Sequence, residues 1–133
     1  MIKKGLSADQ IMVVTEKDTA LSHGSGTVNV FATPAMVTLM EKAAVSCLER
    51  HLEAGQTTVG TSLEIKHLAP TPVGIEVGAR ATVCRVEGRS ITFHVEAWDN
   101  QGKIGEGMHT RFLVDKEVFL ARAYEKKASG ESS

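Results

Sequence analysis

The sequence predicts an α+β domain in which one long helix is wrapped by a curved antiparallel sheet. Three observations carry that expectation: a single stretch of sustained helical periodicity, four long strand-like stretches after it, and short turns between those strands. A helix with one apolar face and a sheet with one apolar face bury each other.

The helix is expected to begin at Thr33-Pro34, where threonine can cap it and proline is pre-set for the first turn, and to reach about Glu53. Met36, Met40, Ala43, Ala44, Cys47 and Leu48 recur at helical spacing, while Lys42, Glu49, Arg50 and Glu53 take other directions. Gly55 then serves as a stop. Ahead of the helix, Gln10 to Thr15 reads as a strand. A Gly/Ser-rich loop over 22–26 leads to a short extended piece over 27–31, and residues 18–26 read as flexible and open.

After the helix, strands are expected over 57–69, 75–87, 90–99 and 103–116. They are separated by Pro70-Thr71-Pro72-Val73-Gly74, by Gly88-Arg89 and by Asn100-Gln101-Gly102, turns short enough for an antiparallel meander. This arrangement is the hotdog architecture. Glu117 to Lys127 has a weak amphipathic pattern and is expected as a short final helix. Lys126 to Ser133 is too polar to bury itself, so residues 126–133 are expected as a disordered tail and 1–125 as a single domain. An open sheet edge is most simply covered by a two-fold mate, which predicts at least a homodimer.

Composition narrows the function. With 133 residues and 42% hydrophobic content the chain can build one core, and a domain of this size buries roughly 65–70% of its unfolded surface. Fifteen basic and sixteen acidic side chains leave a formal charge of -1, too even a balance to hold a nucleic-acid backbone. Cys47 and Cys84 lie far apart in no metal-ligand spacing and read as reduced thiols, and no His/Cys/Asp/Glu cluster has metal-site spacing. The first residues lack the apolar run of a signal peptide, and no window approaches the roughly eighteen apolar residues of a membrane span. A cytoplasmic protein with no membrane or nucleic-acid partner is expected.

Two polar residues fall on apolar faces. In the strand from Thr57, the face of Val59, Thr61, Leu63 and Ile65 continues with His67. On the helix, Glu41 has apolar neighbours one turn away in Val37 and Val45. By contrast, His94 alternates with Thr92 and Glu96, and His109 shares a face with Lys103 and Arg111 opposite Met108 and Phe112, so both histidines are expected to point outward. A solvated helix-edge glutamate and a satisfied core histidine are the structural alternatives for Glu41 and His67. Thr33 is explained by capping alone, yet a hydroxyl at a helix start sits where free N–H groups favour developing negative charge. Gly105 and Gly107 alternate within a strand and precede no helix, which points to a bulge or close contact, not a nucleotide loop.

The run Val30-Phe31-Ala32-Thr33-Pro34-Ala35-Met36-Val37-Thr38-Leu39-Met40-Glu41 resembles the helix start of the fluoroacetyl-CoA thioesterase family of hotdog proteins. The likeness continues through Thr58-Val59-Gly60-Thr61 and His67-Leu68-Ala69-Pro70-Thr71-Pro72, and returns in Phe93-His94-Val95-Glu96-Ala97 and Gly107-Met108-His109-Thr110-Arg111-Phe112. It implies catalytic roles for Thr33, Glu41 and His67. It also implies that Gly60 lets backbone approach the acyl group and that Arg111 lies near the site. The resemblance further implies hydrolysis of a small or medium acyl-CoA thioester, with coenzyme A as part of the substrate and no cofactor or metal. The fluoroacetyl-specific members close a phenylalanine lid over the acyl group, whereas residues 18–30 here contain no Phe, Tyr or Trp, so that selectivity is not expected to carry over.

In such a site Glu41 would attack the carbonyl or activate water, His67 would shuttle a proton, and Thr33 would hold the carboxylate or the substrate carbonyl. Two alternatives stay open: an acyl-CoA hydratase, although no Asp/His pair stands at the usual hydratase spacing, and a non-catalytic acyl-CoA-binding domain.

Overall fold

The computed structural model describes residues 1–131. Its elements in chain order are strand β1 (Ser7–Val13), the one-turn helix α1 (Ala20–His23), the long helix α2 (Thr33–Leu48), strands β2 (Gln56–His67), β3 (Glu76–Glu87), β4 (Ser90–Asp99) and β5 (Gly102–Asp115), and helix α3 (Lys116–Glu131). All five strands join one antiparallel sheet in the order β1-β3-β4-β5-β2. The expected meander β3-β4-β5 forms its centre, and β1 and β2 are its two edges. Among the described residues no helix is long and apolar enough to cross a membrane.

The core lies between α2 and the inner face of the sheet. Ala35, Met36, Leu39, Met40, Ala43, Ala44, Cys47 and Leu48 form the buried side of α2. They meet Val77, Ala79, Ala81 and Val83 of β3 and Ile91, Phe93, Val95 and Ala97 of β4. Small residues on the sheet let the helix sit close. A Cβ on Gly105 would come within 2.5 Å of the Met36 sulfur, so this strand glycine marks a close contact, as its position inside a strand suggests.

Three local expectations are corrected. Thr33 is not the cap of α2: Ala32 holds that position with extended backbone and makes no side-chain cap, Pro34 lies in the first turn, and Thr33 is already helical. The helix ends at Leu48, not near Glu53, and tightens into a 3-10 turn over Glu49–His51. Residues 18–26 are more ordered than a Gly/Ser-rich loop implies. A 3-10 turn at Glu16–Asp18 passes through the buried, capping Thr19 into α1, which ends on Gly24 at φ +70°.

The final helix also runs further than its weak pattern predicts, through Glu131 and into the expected tail. Its side chains are exposed through Ala128, so it gains little from burial. Residues 132 and 133 of that tail lie outside the described residues.

Candidate active site

Freed from capping, the Thr33 hydroxyl lies 2.8 Å from His67 Nδ1. The two residues come from the start of α2 and the end of β2. They meet because β2 runs antiparallel to β5 and Leu68 and Ala69 are pinned behind His67 by bonds from their N–H groups to the Ile104 carbonyl. Phe31 sits edge-on to the imidazole with ring centroids 6.5 Å apart. Burial pushes the His67 pKa below its ordinary value of 6.5, which keeps the ring neutral near pH 7. His67 Nε2 is buried and makes no hydrogen bond among the described residues.

Glu41 stands elsewhere. It lies eight positions after Thr33 on α2, roughly 12 Å along the axis at 1.5 Å per residue. Its carboxylate is part-exposed, and Oε2 is 3.9 Å from Arg111 Nη1. A cleft lined by Glu41, Gly60, Thr61, Ser62, Leu63 and His109 opens beside it. Within the chain the structure therefore brings Thr33 to His67, and Glu41 to Gly60 and Arg111, but it does not bring the two groups together.

Around Glu41 the expected strand faces are reversed, and two bulges explain why. In β2 the register against β5 shifts between Gly60 and Ser62, leaving Thr61 as the extra residue. The inward face is therefore Thr58 and Gly60 before the bulge, then Leu63, Ile65 and His67 after it. His67 lies on the expected face, whereas Val59 and Thr61 do not. In β5 the register against β4 shifts between Ala97 and Trp98, so Lys103 belongs to the outer face while Gly105, Gly107, His109 and Arg111 share the inner one. His109 and Arg111 are thus buried, at 1% and 7% exposure, and Met108 and Phe112 are exposed. The outward reading of His109 and Arg111 fails because it carried the Lys103 phase through a bulge. His94, whose expected face was outward, is only half-buried, on the face opposite Phe93.

His109 and Arg111 are satisfied in a way that fixes the protonation of the ring. Ser62 O can only accept, so His109 Nδ1 carries the proton and donates to it at 2.9 Å. Arg111 can only donate, so His109 Nε2 offers its lone pair to Arg111 Nη1 at 3.2 Å. The imidazole is therefore neutral, and burial, followed by the neighbouring guanidinium, holds its pKa below the ordinary value. Arg111 Nε and Nη2 are taken by Thr58 Oγ1 and Thr58 O, both at 2.9 Å. The guanidinium is locked in plane with Nη1 facing Glu41. Gly60 completes this corner: a Cβ there would lie 3.2 Å from His109 Cε1, 3.4 Å from Glu41 Oε2 and 3.5 Å from Arg111 Nη1.

A long helix laid on a five-stranded antiparallel sheet is the hotdog architecture, and solved structures of the thioesterase superfamily share it. A thioesterase superfamily member from Thermus thermophilus superposes with a TM-score of 0.93 at 30% identity, covering 100% of this chain and 98% of that one. A solved fluoroacetyl-CoA thioesterase superposes with a TM-score of 0.89 at 32% identity, covering 95% and 98%. A curated fluoroacetyl-CoA thioesterase from Streptantibioticus cattleyicolor is 40% identical over 101 residues, 76% of this chain and 73% of that protein. The family model for fluoroacetyl-CoA-specific thioesterases matches residues 14–117. The chain belongs to that family.

Proposed function

We propose that this protein hydrolyses an acyl-CoA thioester to the free acid and coenzyme A, using Thr33, His67 and Glu41. The observation that carries the reading is the 2.8 Å pairing of the Thr33 hydroxyl with a half-buried, neutral imidazole at the start of a helix, in a chain of this family. A neutral histidine can take a proton as the nucleophile is delivered and return it to the departing thiolate. Free N–H groups of the first turn of α2 favour negative charge developing on the carbonyl oxygen. Glu41 supplies the carboxylate, either attacking the carbonyl to expel the thiolate and leave a mixed anhydride that water then hydrolyses, or activating water for direct attack, and Arg111 holds its orientation. These roles call for neither metal nor redox cofactor.

The separation of Glu41 from His67 supports a composite site in a homodimer. β2 is an edge strand whose residues 60–64 are exposed, Leu63 among them at 46%, and a two-fold mate would cover that edge. With the two-fold axis perpendicular to α2, the two helices run antiparallel, which sets position 33 of one toward position 41 of the other. Each site then takes Thr33 and His67 from one protomer and the partner subunit's Glu41.

The test is thiol release over a panel of acyl-CoAs, with enoyl-CoA hydration run alongside. Thiol release that depends on Glu41 and His67 is expected. Hydration without thiol release would move the chain to the hydratases, and saturable binding with neither activity would make it a carrier or sensor.

A further inference from the structure

A chamber of about 400 Å³, broadly open to solvent on one side, lies directly against the Thr33–His67 pair. Its walls come from separate parts of the chain: Ala20 from α1, Val28, Val30 and Phe31 from the segment ahead of α2, and Leu68 and Pro70 from the loop after β2. Among the described residues His67 is the only ionisable side chain lining it. Two of the aliphatic side chains, Val28 and Leu68, are 58% and 52% exposed. Apolar surface shown to water on two sides of one cavity is surface that an apolar ligand would cover.

The walls are also built in advance. Ala20 N–H donates to Val30 O at 2.9 Å and Phe31 N–H to Thr71 O at 2.8 Å. Thr71 is fully buried, with its hydroxyl on Asp99 at 2.8 Å. The segment ahead of α2 is thereby tied to the 68–72 loop, and through it to the end of β4. A chamber of this kind keeps its shape without ligand, so filling it costs little ordering.

Resting on the thioesterase reading above, we infer that this chamber holds the acyl chain and that the preferred substrates carry medium-length aliphatic acyl groups of about six to eight carbons, not two-carbon groups. An acetyl group would leave most of the volume empty, since one water-sized volume is only about 30 Å³. Longer chains cover Val28 and Leu68. If each added methylene is fully buried, kcat/KM should climb roughly fourfold per carbon until the chamber is full.

The experiment measures kcat/KM for acetyl-, butyryl-, hexanoyl-, octanoyl- and dodecanoyl-CoA with the wild-type protein, Val28→Asp and Leu68→Asp. Both side chains are more than half exposed, so the substitutions leave the core intact. The wild type is expected to favour hexanoyl- over acetyl-CoA by at least about a hundredfold, consistent with four added methylenes. Each aspartate is expected to shrink that ratio tenfold or more. Hydrolysis that is best with acetyl-CoA would overturn the inference while leaving the thioesterase reading standing. A rising profile indifferent to both aspartates would place the chain elsewhere and overturn it too. No thiol release from any thioester would sink both readings together.

Discussion

Arg111 Nη1 donates to His109 Nε2 at 3.2 Å, and that bond makes a buried histidine a positioning residue for Glu41 two contacts away. The ring serves only while neutral, because protonation would turn the acceptor nitrogen into a donor facing a guanidinium. His109→Phe keeps the shape but leaves Ser62 O and Arg111 Nη1 unpaired. A stability loss of roughly 1–3 kcal/mol is expected, together with a fall in kcat larger than any change in KM. His109→Gln, which can both donate and accept, should restore much of the kcat. Equal kcat in both variants would show that the ring is packing alone.

The sequence made the frame legible and this corner illegible for the same reason. Turn residues place β4 at Ser90–Asp99 with no error, and Pro34 places the start of α2 to within a residue although the threonine cap expected beside it does not form. Alternation also places His67 correctly, since no bulge separates it from Leu63 and Ile65. It fails at Thr58, Gly60, His109 and Arg111, where the bulges at Thr61 and Ile104 invert the faces. A register shift depends on the neighbouring strand and leaves no period of its own in the sequence. One signal was available: Gly105 and Gly107 lie at alternate positions with His109 and Arg111, and glycines inside a strand mark close approach, here to Met36 for Gly105 and to Glu64 and Ile65 for Gly107.

The Thr33 hydroxyl provides a cleaner mutational probe than a capping threonine would, since Ala32 occupies the cap position and Thr33 bonds His67 instead. Thr33→Ala should therefore lower turnover with less than about 1 kcal/mol of stability lost, below the usual cost of removing a cap. Thr33→Ser should retain most activity, and Thr33→Asn should not. Denaturant midpoints measured beside kcat separate the two effects. A large midpoint drop in Thr33→Ala with unchanged kcat would return the residue to a structural role.

His67 and His109 both shape the dependence of stability on pH. His67 and His109 have folded-state pKa values below the ordinary 6.5, so as pH falls the unfolded chain takes up protons first. The stability associated with keeping them neutral is fully present above about pH 6.5 and is lost as pH falls through that value toward the folded-state pKa values. Turnover should hold through that onset and decline only as pH nears the lowered folded-state pKa of His67, where the ring loses its lone pair. Urea midpoints between about pH 8 and 5 should drop on acidification, and His67→Asn should reduce the slope. A midpoint that rises on acidification would contradict the burial argument.

The sharpest test concerns the gap of two helical turns between Thr33 and Glu41. Glu41→Gln and His67→Ala should each reduce turnover at least about a hundredfold, the scale of losing a positioned acid or base, with folding intact. If every site stood within one protomer, mixing the two inactive proteins could restore nothing, because each chain would still lack one group. In a composite site, a mixed dimer carries one centre with both residues lost and one with both intact. Unfolding and refolding the two variants together at equal concentration forms mixed dimers as about half of the total, so recovery to roughly a quarter of wild-type turnover is expected by simple pairing statistics for a two-fold dimer. Sedimentation on the same sample checks that dimers are present. Recovery no greater than the sum of the two variants alone, with dimers demonstrated, would place the whole reaction within one chain and require Glu41 to act across the intervening helix turns by some other route.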